Sequence, residues 1–151
     1  MSPHFSPQKQ EDGSFVIRRF AIAGGKPLPY VDPPNDTGHF VRALVLSDRA
    51  PAGSSMLGFC ELLTNEQFCE VWGRVHGVEC RFEALTYQDA LKNGMQDWMA
   101  LEVSESGIYT TKYGWAGGDP DVQPPKDLGV NIGKLTNVED WIRREDWSSV
   151  L

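Results

Sequence analysis

The stretch from Leu63 to Gly77 constrains the fold more than any other part of the chain. Thr64 is followed three residues later by Gln67, the reciprocal pair with which a helix start satisfies two of its orphan N–H groups. Leu63 and Phe68 stand where a hydrophobic staple needs them. Phe68, Val71, Trp72 and Val75 then recur at helical spacing, and Gly77 is the residue type that most readily ends a helix in the left-handed conformation. The spacing predicts an amphipathic helix with one apolar face to bury. Before it, Met56–Glu61 reads as a buried strand; after it, Val78–Leu85 alternates as a strand does. A strand, a helix and a strand in succession require a mixed α and β architecture.

The remaining segments fit that frame. Gly13–Ile22 reads as a strand with Phe15, Ile17 and Arg19 on one face, closed by Gly24 and Gly25. Pro29–Pro34 is extended, because proline removes donors and pushes the residue before it out of helical geometry. Asp36 is the expected N-cap of a helix carrying Phe40, Val41, Leu44 and Val45 as its apolar stripe. Thr86 and Asp89 open a short helix that Gly94 stops, and most of 95–112, with Met95, Trp98, Met99 and Leu101, reads as helix. From Tyr113 to Gly129 four glycines and three prolines predict a long loop. Thr136 and Glu139 form a further capping box before a last helix with Val138, Trp141 and Ile142. Trp72, Trp98 and Trp141 fall on apolar faces and are expected in the core. The order is β, β, α, β, α, β, α, α, loop, α. Residues 1–12 are expected to be a loose lead-in and 13–151 one domain. Several short strands are expected to need partners that the chain does not supply.

Composition narrows the function. At 151 residues, 40% hydrophobic and 23% charged, the chain can bury a core. A net charge of -7 without a Lys/Arg run disfavours nucleic acid and anionic membranes as partners. No apolar run approaches the roughly 18 residues of a membrane span, and the first residues lack a secretory apolar core, so a cytoplasmic protein is expected. Cys60, Cys69 and Cys80 are odd in number without a C-x-x-C pair, which reads as reduced, buried thiols. His4, His39 and His76 are too scattered to form a metal site.

The piece Pro29–Leu44, in which an apolar extended stretch with Asp32 leads into Asp36-Thr37-Gly38, resembles a signature in the second half of NmrA-like proteins. Four further stretches resemble that family in the same order: Glu61–Gln67, Trp72–Val78, Tyr113–Pro120 and the tail Val138–Trp147. The resemblance covers about residues 13–151. It implies an α+β (mixed α/β) fold, the C-terminal, substrate-side portion of an NmrA-like Rossmann protein without the N-terminal dinucleotide-binding sheet. Proteins of this family are atypical short-chain dehydrogenase relatives: some reduce small molecules with NAD(P), others sense the dinucleotide while binding a transcription factor. Here the glycine fingerprint of a dinucleotide site is missing. Gly114, Gly117 and Gly118 are the nearest run, but Asp119-Pro120 follows them instead of a helix. A Tyr-x-x-x-Lys dyad is missing as well, since Tyr109 and Lys112 are three apart and Tyr87 and Lys92 five. No cofactor is therefore expected for this chain alone.

The resemblance sets the segment of Asp32, Asp36 and His39 near a substrate cleft, where an Asp and a His could act as acid and base. Capping by Asp36, a first-turn His39 and a turn carboxylate at Asp32 are the plainer readings. Tyr113 and Trp115, on a glycine-rich loop, are candidates to fold over an apolar ligand, with Tyr30 as a further ligand contact; the alternative is that they only pack the loop. His76, at a helix end, reads as complementing the helix dipole. The expected function is binding of a small molecule or a protein partner without a private NAD(P) site, with a homo-oligomer possible. One alternative is cofactor-free catalysis (isomerisation, dehydration or cyclisation) through Asp32, His39 and Tyr113. The other is that the chain is a piece of an NAD(P)-dependent oxidoreductase.

Overall fold

The computed structural model describes residues 6–151, so His4 lies outside the described residues. Helix α2 (Asn65–His76) is built as its sequence dictates. The Thr64 hydroxyl accepts from Gln67 N at 3.2 Å, the Gln67 side-chain oxygen accepts from Thr64 N at 2.8 Å, and Gly77 closes the helix at φ 68°. Its inner face, Phe68, Cys69 and Trp72, lies on the parallel pair β2 (Phe15–Phe20) and β6 (Cys80–Leu85), in register from Phe15↔Cys80 to Phe20↔Leu85. Gly73 makes this close approach possible, since a Cβ there would stand 2.7 Å from the Val78 carbonyl oxygen.

Within the segment read as a loose lead-in, β1 (Gln8–Lys9) pairs antiparallel with the start of β2, giving the sheet order β1-β2-β6. Two small sheets flank it. β3 (Leu28–Tyr30) pairs antiparallel with β5 (Glu61–Leu63), and β4 (Ser55–Met56) pairs parallel with β7 (Val122–Gln123). The single strand expected over Met56–Glu61 is thus two short strands in different sheets; Gly58 between them lies against the Phe40 ring.

Helix α1 (Pro33–Leu46) begins earlier than expected. Pro33 and Pro34 fill its first positions, where an absent N–H costs nothing. The N-cap is therefore Asp32, whose backbone carbonyl receives Asn35 N and Asp36 N. Asp36 sits inside the first turn, and of the predicted stripe only Phe40 is buried, with Val41 and Val45 facing solvent. Helix α3 (Tyr87–Lys92) carries the expected Thr86–Asp89 capping box, and α4 (Asp97–Tyr113) occupies most of the region read as helix. Trp98, expected in the core, is 59% exposed at the start of α4. The Tyr113–Gly129 loop contains β7 and a 3₁₀ turn at Pro125–Leu128. The last helix, α5 (Val138–Arg144), is capped one residue later than expected: Asn137 accepts from Asp140 N at 2.7 Å, because Thr136 N is already bound to Asp36. Val138 and Ile142 of α5 and the following Trp147 complete the main core around Trp72, Phe15 and Ile17.

Two substitutions separate local from tertiary stabilisation. Thr64→Ala removes a cap and is expected to lower unfolding free energy by about 1 kcal/mol in urea titration. A Cβ at Gly107 of α4 would stand 1.9 Å from the Phe20 carbonyl oxygen, so the helix must move off β2. Gly107→Ala is therefore expected to cost more, about 3 kcal/mol, as overpacking does; equal costs would mean that α4 is not tightly seated.

Candidate ligand pocket

A pocket of ≈ 220 Å³ opens where β2, β3, α2 and α5 meet, bounded mainly by apolar surface. The β2 alternation that buries Phe15 and Ile17 brings Arg19 out on the same face at the pocket wall. On α2, Phe68 lies one turn before Trp72 and forms a second wall, stacked on Tyr30 with ring centroids 5.2 Å apart and planes at 12°. The Arg19 guanidinium lies 4.9 Å from the centre of the Phe68 ring, a cation–π contact that restrains it. Arg19 Nη1 donates to the Tyr30 hydroxyl oxygen at 2.9 Å and to Asn65 Oδ1 at 3.2 Å. Burial pushes the Tyr30 phenol above its ordinary range, partly opposed by Arg19, so its hydroxyl is protonated and available as a donor at neutral pH. Val31, Val138 and Trp141 complete the apolar lining.

Three carboxylates hold the α5 side of the pocket. Asp32, 3% exposed, accepts from Asn35 Nδ2 at 2.7 Å and pairs with Arg144 Nη1 at 2.8 Å. Asp36 Oδ2 accepts from Thr136 N at 3.1 Å, and Glu61 Oε2 from Val138 N at 3.0 Å. The Asn35 hydrogen bond, followed by Arg144, keeps the Asp32 carboxyl below the usual carboxylate range. Cys60 also lines the pocket; its thiol donates to the Tyr30 carbonyl at 3.0 Å and is pushed up by burial, which leaves it a poor nucleophile. Contact with Cys80, then burial, likewise raises Cys69. The three cysteines are free, Cys69 buried and the other two half-buried.

Of the residues singled out in the sequence, Tyr30 and Asp32 share this pocket. His39 instead lines a shallower depression between α1 and the segment Leu128–Lys134. Tyr113 and Trp115 line neither of these; both are about half exposed, and Tyr113 packs on Tyr109 of its own helix. Asp32, His39 and Tyr113 are not gathered into one cavity. The glycine run comes directly after the C-terminal end of α4: Gly114 N bonds the Thr110 carbonyl, and Gly117 packs against the Tyr109 hydroxyl. The C-terminal end of a helix carries negative partial charge and is unsuited to phosphate. His76 is not an exposed helix-end cation; burial lowers its pKa, and its ring lies 4.5 Å from that of Trp72. Arg19, Asn65, Phe68 and Arg144 were not among the predicted site residues. For Arg19 a signal existed, a cation placed by alternation on the inward face of a strand; for the others, long-range packing decides.

No protein-family model matches this sequence, and no curated protein matches it. Solved structures of NmrA do match in fold. One, of NmrA described as a negative transcriptional regulator in complex with NAD, superposes with a TM-score of 0.59 at 17% identity over 89% of this chain. Another, in complex with NADP, gives a TM-score of 0.56 at 17% identity, and a double-glycine mutant of NmrA gives 0.56 at 16%. The chain spans 44% of the length of each of these NmrA chains. Its fold is NmrA-like, a mixed α and β arrangement with small sheets matching an NmrA-like C-terminal portion.

The Asp32 ion pair has a defined pH signature. A carboxyl whose folded pKa is depressed stabilises the fold above its unfolded value, about 3.9, and that contribution fades as pH falls through the folded value. Asp32→Asn is expected to lower the melting temperature at pH 6, and its deficit should shrink progressively below about pH 4. Parallel melting curves for the two proteins from pH 6 to 3 would refute a depressed Asp32.

Proposed function

We propose that this chain is a binding module of NmrA-like fold that takes a small, ring-containing molecule in the pocket between Tyr30, Phe68, Val138 and Trp141. The observation that carries the reading is the composition of that pocket: apolar walls with a few converging polar groups, Arg19 and Tyr30, already held in position by Asn65 and Phe68. Binding is favoured over cofactor-free catalysis because Asp32, the one carboxylate lining the pocket among the described residues, is tied to Arg144 and Asn35. A general base works best with a pKa near the operating pH, and these contacts move Asp32 the other way. Reading the module as having no NAD(P) site of its own rests on the absence of a glycine fingerprint before a helix start.

Exposed apolar side chains along α4, among them Trp98, Leu101, Ile108 and Tyr109, support self-association as a second property of the module. Calorimetry with NADPH beside size exclusion on the same sample is the first test. The expected result is no stoichiometric NADPH binding by a folded, discrete oligomer. Tight one-to-one NADPH binding would overturn the reading of a module without its own NAD(P) site. In a screen of single-ring compounds followed by NMR, the signals of Tyr30, Phe68 and Trp141 should move together. Trp141→Ala should weaken any such hit roughly tenfold, the worth of an aromatic wall.

A further inference from the structure

We propose that the ligand of this pocket is a small aromatic carboxylate whose carboxylate group is received by Arg19 and Tyr30; this rests on the ligand-binding reading given above. Arg19 is half-buried, yet its hydrogen-bond partners among the described residues are both neutral, the Tyr30 oxygen and Asn65 Oδ1. Among the described residues the ion pairs engage Arg18, Arg74, Arg81, Arg143 and Arg144, and none engages Arg19. Asp32 of the pocket wall is matched by Arg144, so that pair adds no net charge to the pocket. Arg19 therefore stands at the pocket wall without an ion-pair partner; the carboxylates of Asp36 and Glu61 on the α5 side accept from the backbone N–H groups of Thr136 and Val138, not from Arg19.

The hydrogen-bond inventory points the same way. Guanidinium has five N–H donors, and here only Nη1 is engaged. The Tyr30 oxygen accepts from Arg19, while its own O–H donates to no group among the described residues. Donors from two side chains thus adjoin one another with no acceptor between them. A carboxylate supplies two oxygens at the spacing a guanidinium fork matches, and the phenol can donate to one of them. The stack of Tyr30 on Phe68 and the contact of Arg19 with Phe68 fix these donors before any ligand arrives.

The walls select the rest of the molecule. Val31, Phe68, Val138 and Trp141 suit the faces of a ring, and a volume of ≈ 220 Å³ admits a smaller ligand than a drug-sized pocket does. A phosphate would bring further charged oxygens against those apolar walls, so a monoanion fits better. The chain's net charge of -7 gives no long-range attraction to any anion, so affinity must come from these short contacts.

The test is calorimetric titration of the full chain with phenylacetate and its neutral isostere phenylacetamide. Phenylacetate should bind at least roughly tenfold tighter, the usual worth of a charge-assisted hydrogen bond. Arg19→Gln should abolish that preference, lowering phenylacetate affinity far more than phenylacetamide affinity. Tyr30→Phe keeps the stack on Phe68 and should weaken phenylacetate several-fold; it tests the assignment even if Arg19→Gln does not fold. Equal binding of acid and amide, an acid preference that survives Arg19→Gln, or one undiminished in Tyr30→Phe, would overturn the carboxylate assignment and leave the pocket reading intact. Binding of neutral single-ring compounds without phenylacetate would do the same. Failure of every ring compound to bind would overturn both readings.

Discussion

Trp72 is the contact on which the rest of the structure depends. It is fully buried, with its ring 5.0 Å from Phe15 of β2 and 5.7 Å from Trp147 behind α5, so one side chain joins sheet, α2 and C-terminal segment. The opposing side is fixed by Trp147, whose indole N–H donates to the Ile142 carbonyl at 2.8 Å. The same density has a cost: Trp72 Nε1 and His76 Nε2 are buried without hydrogen-bond partners among the described residues. Unmet groups of this kind cost about 1–3 kcal/mol each, so the packing of the aromatic cluster must outweigh them.

The pocket is the continuation of that core. Residues two apart on β2 share a face, so Phe15 and Ile17 lead to Arg19; residues four apart on α2 do likewise, so Trp72 leads to Phe68. Where the two rows emerge from the aromatic cluster, hydrophobic contact gives way to a cation stacked on a ring. Position and rigidity of the pocket wall are therefore inherited from the core. The third wall comes from α5, whose entry is held by the carboxylates of Asp36 and Glu61 accepting backbone N–H groups.

Much of the fold was legible wherever a helix signal was local. Thr64 with Gln67 and Thr86 with Asp89 identify helix starts because both partners of each contact lie within four residues. Asp36 and Thr136 look like caps by the same rule, yet they bond each other across 100 residues, and Asp32 and Asn137 take the cap positions. Trp98 has the apolar character of a core residue, but α4 turns it outward while Gly107 and Thr111 face the sheet side. The site was less legible than the fold. Tyr30 and Asp32 could be picked from their segment, whereas Asn65 and Arg144 enter only because distant segments converge on Arg19 and Asp32. Glycine content drew attention to Tyr113 and Trp115, but composition cannot distinguish a loop over a ligand from the end of a helix.

The likeness to NmrA and the pocket bear on function in different ways. At 16–17% identity, shared topology carries the backbone arrangement, and one topology hosts many chemistries. What a ligand meets is set by side chains, here Asp32 matched with Arg144 and Arg19 without an ion-pair partner among the described residues. Arg144 and Asp32 tie α5 to the start of α1 and are spent on structure. Arg19 is held by neutral groups and a ring face, so its position is determined while it has no ion-pair partner among the described residues. The residues that create this asymmetry come from β2, the N-cap of α1 and α5 of this chain.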